Sequence, residues 1–250
     1  MKIISLNTWG CRIEKIFEYI KENEKDTDIF CFQEILKGGN GMTSREEIKG
    51  GFEKISEILF QHNGYFCEYE HNGAYYGENR EKLDFEYGIA CFVKKDLPNK
   101  EIKKGSLISG EDEYGNSSYR FAVGETSLTE VSDYAIINVH GMWQNSIKTD
   151  TDAKIQQSKK ILDLTEKSTK KKIICGDFNL LPDTNSIKMI EVNFRNLIKE
   201  FGIKSTRSNL YTKETRYSDY LFVDKKIKVE NFSVVDIEVS DHLPLLLEFS

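Results

Sequence analysis

Six times along this chain a short apolar run begins or ends on an amide, a carboxylate or an imidazole. Asn7 closes Ile3-Ile4-Ser5-Leu6, and Gln33-Glu34 closes Asp28-Ile29-Phe30-Cys31-Phe32. His140 follows Ala135-Ile136-Ile137-Asn138-Val139, and Asp177 and Asn179 follow Ile173-Ile174-Cys175-Gly176. Asp219 opens Tyr220-Leu221-Phe222-Val223, and Asp241-His242 stands just before the last apolar segment. Short runs rich in β-branched and aromatic residues read as buried strands. Polar groups at strand ends gather at a sheet rim, where side chains far apart in sequence meet in one cleft. Such a chain is held to a strand-rich mixture of α and β with a polar rim.

Between these runs, helical spacing appears at Cys11–Lys25 through Ile13, Ile16, Phe17 and Ile20, at Glu53–Gln61, at Asp150–Glu166 and near Ser186–Val192. Further strands are expected at Tyr65–Glu70, Tyr87–Lys94, Lys100–Ile108, Tyr119–Val123, Lys228–Asp236 and Leu245–Phe249. Many strands with a few long helices fit two packed sheets with helices on their outer faces. No internal repeat and no Pro/Gly/Ser-rich linker divides the sequence, so one domain spanning residues 1–250 is expected.

The totals exclude several classes. With 39% hydrophobic and 12% aromatic residues, the chain can fill a core. No apolar stretch approaches the ~18 residues of a membrane span, and the first residues lack the pattern of a secretory signal. Five scattered cysteines, without a C-x-x-C pair, read as buried thiols in a reducing cytoplasm. A net charge of −6 argues against a protein that coats duplex nucleic acid by backbone charge. It leaves room for an enzyme gripping a few phosphates in one cleft. No protein partner is indicated, and a monomer is expected.

Taken singly, each polar residue has an ordinary explanation. Asn7 suits an Asx turn, His140 a hydrogen-bonded core histidine, and Ser240-Asp241-His242 a cap or surface turn. Gly176-Asp177-Phe178-Asn179 is more specific, because the glycine lets the strand end turn tightly. Glu34 after an apolar strand requires a cation or donors. No single structural explanation covers all six strand ends. Together, amides, carboxylates and two histidines are the inventory for a hard metal ion with acid/base groups.

In order and in identity these motifs resemble the endonuclease/exonuclease/phosphatase superfamily: Asn7 in Leu-Asn-Thr-Trp, Gln33-Glu34, Asn138-Val-His140, Gly176-Asp-Phe-Asn179, Asp219 before Tyr-Leu-Phe, and Ser240-Asp-His242. The resemblance runs from residue 7 to residue 242. It implies a four-layer α/β/β/α sandwich of the deoxyribonuclease I type, two stacked mixed sheets flanked by helices, with the site at one rim. It also implies a metal-dependent phosphoric ester hydrolase in which Glu34 is the main ligand for Mg²⁺ or Mn²⁺, helped by Asn7 and Asp241. His242 would be oriented by Asp219, Asp177 and Asn179 would position the nucleophile, and His140 would serve as acid or phosphate ligand. Arg120 resembles a phosphate-gripping arginine, and Glu86 is the candidate to orient His140. Trp9 stands where apurinic endonucleases carry an acid, which speaks against an abasic-site enzyme. Tyr217-Ser218 likewise replaces the usual residues before Asp219.

Three functional readings follow. The first is a phosphodiesterase on nucleic acid, with Trp9, Tyr75, Tyr76 and Trp143 available to stack on bases. The second keeps the chemistry but acts on a phospholipid head group, sugar phosphate or nucleotide. The third is a non-catalytic binding module, which predicts a missing catalytic position. None is missing. Segments 71–85 and 111–118 are expected to shape substrate choice.

Overall fold

The computed structural model describes residues 1–69, 75–76, 81–82, 84–108, 124–144 and 147–250. The strands are β1 (Lys2–Asn7), β2 (Ile29–Lys37), β3 (His62–Glu68), β4 (Tyr75–Tyr76), β5 (Glu81–Lys82), β6 (Glu86–Lys94), β7 (Asn99–Ile108), β8 (Gly124–Val131), β9 (Tyr134–His140), β10 (Lys171–Asp177), β11 (Phe194–Asn196), β12 (Asp219–Asp224), β13 (Val229–Val234) and β14 (Leu245–Phe249). The α-helices are α1 (Lys15–Asn23), α2 (Gly51–Ile58), α3 (Asp152–Thr165), α4 (Asn185–Glu191) and α5 (Leu197–Glu200).

Two six-stranded sheets are stacked face to face. The first has the order β13-β14-β1-β2-β6-β3 and the second β11-β12-β10-β9-β8-β7, while β4 and β5 pair separately. Each large sheet has one parallel pair at its centre, β1 with β2 and β9 with β10, among antiparallel neighbours. The period of two along a strand sorts side chains between layers. Ile4, Leu6, Phe30, Phe32 and Phe92 face outward onto Ile16 and Ile20 of α1 and Ile55 of α2. Ile3, Ile29, Cys31, Cys91 and Val93 face inward and join the core of the second sheet, which Ile161 and Leu164 of α3 and Ile187 and Ile190 of α4 help to fill. The result is the expected sandwich, two mixed sheets flanked by helices. All five cysteines are free and buried, and burial pushes the Cys11 thiol up to about 12.

Helix α1 begins at Lys15, later than the apolar spacing suggests. The chain first makes a 3-10 turn at Trp9–Cys11, with Trp9, Gly10 and Cys11 all at positive φ. Strand β2 continues past Glu34 to Lys37, because a bulge at Gln33-Glu34 bends the strand without ending it. Strand β8 was not expected from Gly-Glu-Thr-Ser-Leu-Thr-Glu-Val, whose polar side chains Glu125, Thr126, Ser127 and Thr129 are nonetheless buried. The expected strand at 119–123 lies outside the described residues. No helix among the described residues is long and apolar enough to cross a membrane.

Candidate active site

The site lies along one rim, where β1, β9 and β10 end, β12 begins and β2 bulges. β1 delivers Asn7, β9 delivers His140, β10 delivers Asp177, and β12 opens with Asp219 at the register position opposite Asp177. Glu34 arrives differently. Gln33 points inward to Asn138, so strict alternation would send Glu34 out toward the helices. Instead Gln33 and Glu34 lie between the pairs Phe32–Ala90 and Ile35–Gly88, and Glu34 takes a φ of 54°. A bulge of this kind re-aims a side chain, and here it turns the carboxylate into the cleft. Thr8 fastens the bulge by donating its hydroxyl to the carbonyls of Gln33 (3.1 Å) and Glu34 (2.7 Å).

From Glu34 an unbroken polar path crosses to the far side of the cleft. The Asn7 amide donates to Glu34 Oε1 (3.0 Å) and to Asp177 Oδ2 (3.1 Å). Asp177 Oδ2 lies 3.6 Å from His242 Nε2. His242 Nδ1 reaches both oxygens of Asp219, at 2.8 and 2.9 Å, and Thr206 Oγ1 donates to Asp219 Oδ2 at 2.9 Å. The other oxygen of Asp177 accepts from Ser218 Oγ (2.5 Å) and Asn179 N (2.8 Å). Asn179, at a φ of 53°, donates its amide to the carbonyl of Gly141 at 3.0 Å. Lys154 Nζ donates to the Asn179 carbonyl at 2.8 Å and thereby steadies that backbone. Gly176 is required where β10 ends. Its φ is +131°, and a Cβ there would sit 2.0 Å from the Val139 carbonyl oxygen.

The electrostatics follow from burial and proximity. Burial alone would raise the Glu34 carboxyl, but His140 and the Asn7 amide outweigh it and hold the group well below its usual range. Burial likewise opposes ionisation of Asp177, yet the charges of His242, Arg207, His140 and Lys148 hold it at about 2. Burial raises Asp241. For His242, burial and Arg207 disfavour the cation, and the carboxylates of Asp219, Asp241 and Asp177 prevail, so its pKa is raised.

Asn7 turns its amide oxygen to Trp9 N (3.0 Å) and its NH₂ to the carboxylates. It is a donor tying Glu34 to Asp177, and its oxygen keeps a second lone pair. One expectation needs correction. Glu86 does not orient His140. It lies opposite Lys37 in the sheet, pairs with the Lys37 ammonium at 2.8 Å, and leaves Tyr87 on the cleft side of β6. Arg120 lies outside the described residues, as do 111–118 and most of 71–85.

Several side chains at the cleft carried no sequence signal. Arg207 is buried, bonds Asp241 Oδ2 through Nη1 at 2.8 Å and lies 4.2 Å from the centre of the Tyr211 ring. Lys148 Nζ donates to the Tyr217 carbonyl (3.1 Å), and burial lowers its pKa to about 8. Tyr87 donates to Glu34 Oε2 at 2.9 Å, and the Tyr69 hydroxyl lies 2.5 Å from His140 Nδ1. Position in β6 could have flagged Tyr87, one strand residue from Glu86. Arg207 sits in a polar stretch with no apolar run to mark it.

A hard divalent cation fits the donor set. Ligand atoms of Glu34, His140 and Asp177 lie within 4.8 Å of one another, as do those of Asp177, Asp219 and His242. Asp241 Oδ1 is buried without a hydrogen-bond partner among the described residues, and a buried orphaned acceptor calls for a missing group. The cavity is about 310 Å³ and is rimmed by Trp9, Trp143, Tyr87 and Tyr211.

The chain matches the model of the Endonuclease/Exonuclease/phosphatase family over residues 4–242. Three solved structures share the fold. An endonuclease/exonuclease/phosphatase from Beutenbergia cavernae is 15% identical with a TM-score of 0.73, covering 100% of this chain and 71% of that one. The human Nocturnin catalytic domain is 18% identical with a TM-score of 0.64, covering 100% and 93%. A mannosyl-6-phosphatase from Bacteroides thetaiotaomicron is 16% identical with a TM-score of 0.63, covering 100% and 99%. Among curated protein sequences none matches.

Proposed function

This chain belongs to the endonuclease/exonuclease/phosphatase family, and from that premise we propose that its cleft hydrolyses a phosphodiester of nucleic acid with the help of Mg²⁺ or Mn²⁺. The single observation that carries the reading is the path Glu34–Asn7–Asp177–His242–Asp219. It joins a carboxylate held ionised to an Asp-oriented imidazole across one cleft.

Glu34 would hold the cation first, with Asp177 and the free Oδ1 of Asp241 in the same cleft. A bound divalent cation offsets negative charge building on phosphate oxygens. Asp177, fixed on one oxygen by Ser218 and Asn179, keeps Oδ2 to align a water. His242 moves the proton: Asp219 takes its Nδ1–H, so Nε2 faces the cleft to accept the proton of the attacking water. Asp177, already ionised down to about 2, is the weaker base. The water oxygen bonds to phosphorus, the ester P–O bond breaks, the leaving oxygen takes up a proton from solvent, and His242 returns its own to solvent. Arg207 and Lys148 supply positive charge on the Asp241 side.

Nucleic acid is favoured by the aromatic rim of Trp9, Trp143 and Tyr211, since aromatic faces left open by their neighbours stack on bases. A second reading, a sugar phosphate, has its own support: the small cavity, and the fold shared over full length with a mannosyl-6-phosphatase.

The test is a panel of single- and double-stranded DNA, RNA, hexose 6-phosphates and nucleotides, each with Mg²⁺, Mn²⁺ or EDTA. Metal-dependent cleavage of a nucleic acid that disappears in Glu34→Ala is the expected result. Turnover confined to the sugar phosphates selects the second reading, and no turnover of any ester overturns both.

A further inference from the structure

The two histidines of the cleft have different supports at Nδ1. His242 Nδ1 meets a carboxylate, Asp219. A carboxylate only accepts, so Nδ1 carries a proton. Its Nε2 faces two further carboxylate oxygens, Asp177 Oδ2 and Asp241 Oδ1, each at 3.6 Å. His140 has a hydroxyl where His242 has a carboxylate. Its Nε2 faces Glu34 Oε1 at 3.4 Å and Asp177 Oδ2 at 4.0 Å. Both are acceptors, so the ring proton belongs on Nε2. Its Nδ1 meets the Tyr69 hydroxyl, which can donate.

Tyr69 is itself firmly placed. It continues from β3, where its backbone N–H donates to the Tyr87 carbonyl at 2.8 Å, and it is buried. Its ring packs on Tyr87 at 4.9 Å and on His140 at 5.5 Å. Since Tyr87 donates to Glu34 Oε2, the four side chains Glu34, Tyr87, Tyr69 and His140 close a circuit around one side of the cleft. A shift of Tyr69 would disturb the imidazole directly and the carboxylate through Tyr87.

We propose that Tyr69 is a positioning residue that donates to His140 Nδ1 and fixes the Nε2–H tautomer, making His140 a hydrogen-bond donor to a phosphate oxygen of the substrate. The inference rests on the hydrolytic reading of the cleft for the substrate half of the statement, and on geometry alone for the tautomer. The site then divides its labour. His242, set among carboxylates, moves a proton, while His140 offers a proton that stays in place and stabilises charge.

Ring-¹⁵N-labelled protein and long-range ¹H–¹⁵N correlation spectra decide the tautomer, with His140→Gln and His242→Gln assigning the signals. The expected spectrum has the His140 proton on Nε2 in the wild-type protein. Tyr69→Phe then shifts His140 toward a tautomer mixture and lowers kcat by about 10–100-fold, with KM and the melting temperature little changed. A wild-type His140 protonated on Nδ1 overturns the proposal, as does a folded Tyr69→Phe protein with unaltered tautomer and kcat. The wild-type spectrum decides even if Tyr69→Phe does not fold. It also stands apart from the activity panel, so a failure of the hydrolytic reading is distinguishable from a failure of this one.

Discussion

At Asp219 two oxygens serve one imidazole, and Thr206 holds one of them in place. Asp219→Asn removes the charge that fixes the His242 proton on Nδ1. It is expected to cut kcat ~10²–10⁴-fold in steady-state assays, while circular dichroism remains that of the wild type. Lys148 gives a pH signature. Burial lowers its pKa to about 8 from an ordinary 10.5, so its positive charge is lost as pH rises through about 8. On the proposed hydrolytic reading this charge serves a phosphate, so kcat/KM is expected to fall on the alkaline side. Lys148→Arg, which stays charged, moves that alkaline limb upward; an unmoved limb removes Lys148 from the phosphate site. Individual residues were legible in the sequence where an apolar run pointed at them, as for Asn7, Glu34, His140, Asp177 and His242. Arg207 was hidden because it reaches the site through a single antiparallel bridge to His242 from an irregular polar segment. Tyr69 and Tyr87 were hidden because a tyrosine near a strand end ordinarily signals packing.

Among the elements, the end of β10 is the least forgiving. Gly176→Ala would set a methyl 2.0 Å from the Val139 carbonyl oxygen at a φ that side chains rarely adopt. A loss of about 3 kcal/mol is expected from clash and backbone strain together, read as a lowered urea midpoint with an unchanged m-value. A neutral substitution there would contradict the close approach of β9 and β10. Strand existence was legible for the uniformly apolar runs, which cannot be anything but core. It failed at β8, where Thr and Ser line buried positions and periodicity has no apolar stripe to report. Likewise the sequence places Glu34 at a strand end, but the continuation of β2 to Lys37 depends on a bulge. Backbone geometry of that kind has no signature in the hydrophobic pattern.

Across the whole molecule, a buried amide pair is one of the links between the two sheets. Gln33 Nε2 donates to Asn138 Oδ1 at 2.7 Å, and Asn138 in turn donates to the carbonyls of Phe32 (3.1 Å) and Ala90 (3.0 Å). Asn138→Leu strands those groups away from water and is expected to cost about 2–3 kcal/mol, measured by chemical unfolding. Metal removal acts at the same scale. A cation at about 100 times its Kd adds about 2.7 kcal/mol to the folded state, so Mg²⁺ should raise the melting temperature over EDTA. In Glu34→Ala that rise should vanish, and a persisting rise would place the ion elsewhere. The chain carries −6 overall, and the cleft lining sets Arg12, Arg45, Lys148, Arg207 and Lys213 beside Glu34, Glu47, Asp177 and Asp241. The order of assembly has a consequence of its own. Asp241 and His242 come immediately before β14, which docks beside β1 in the first sheet. Until that late segment joins β1, the strand ends can gather Asn7, Glu34, His140 and Asp177, and the His242–Asp219 contact has yet to form.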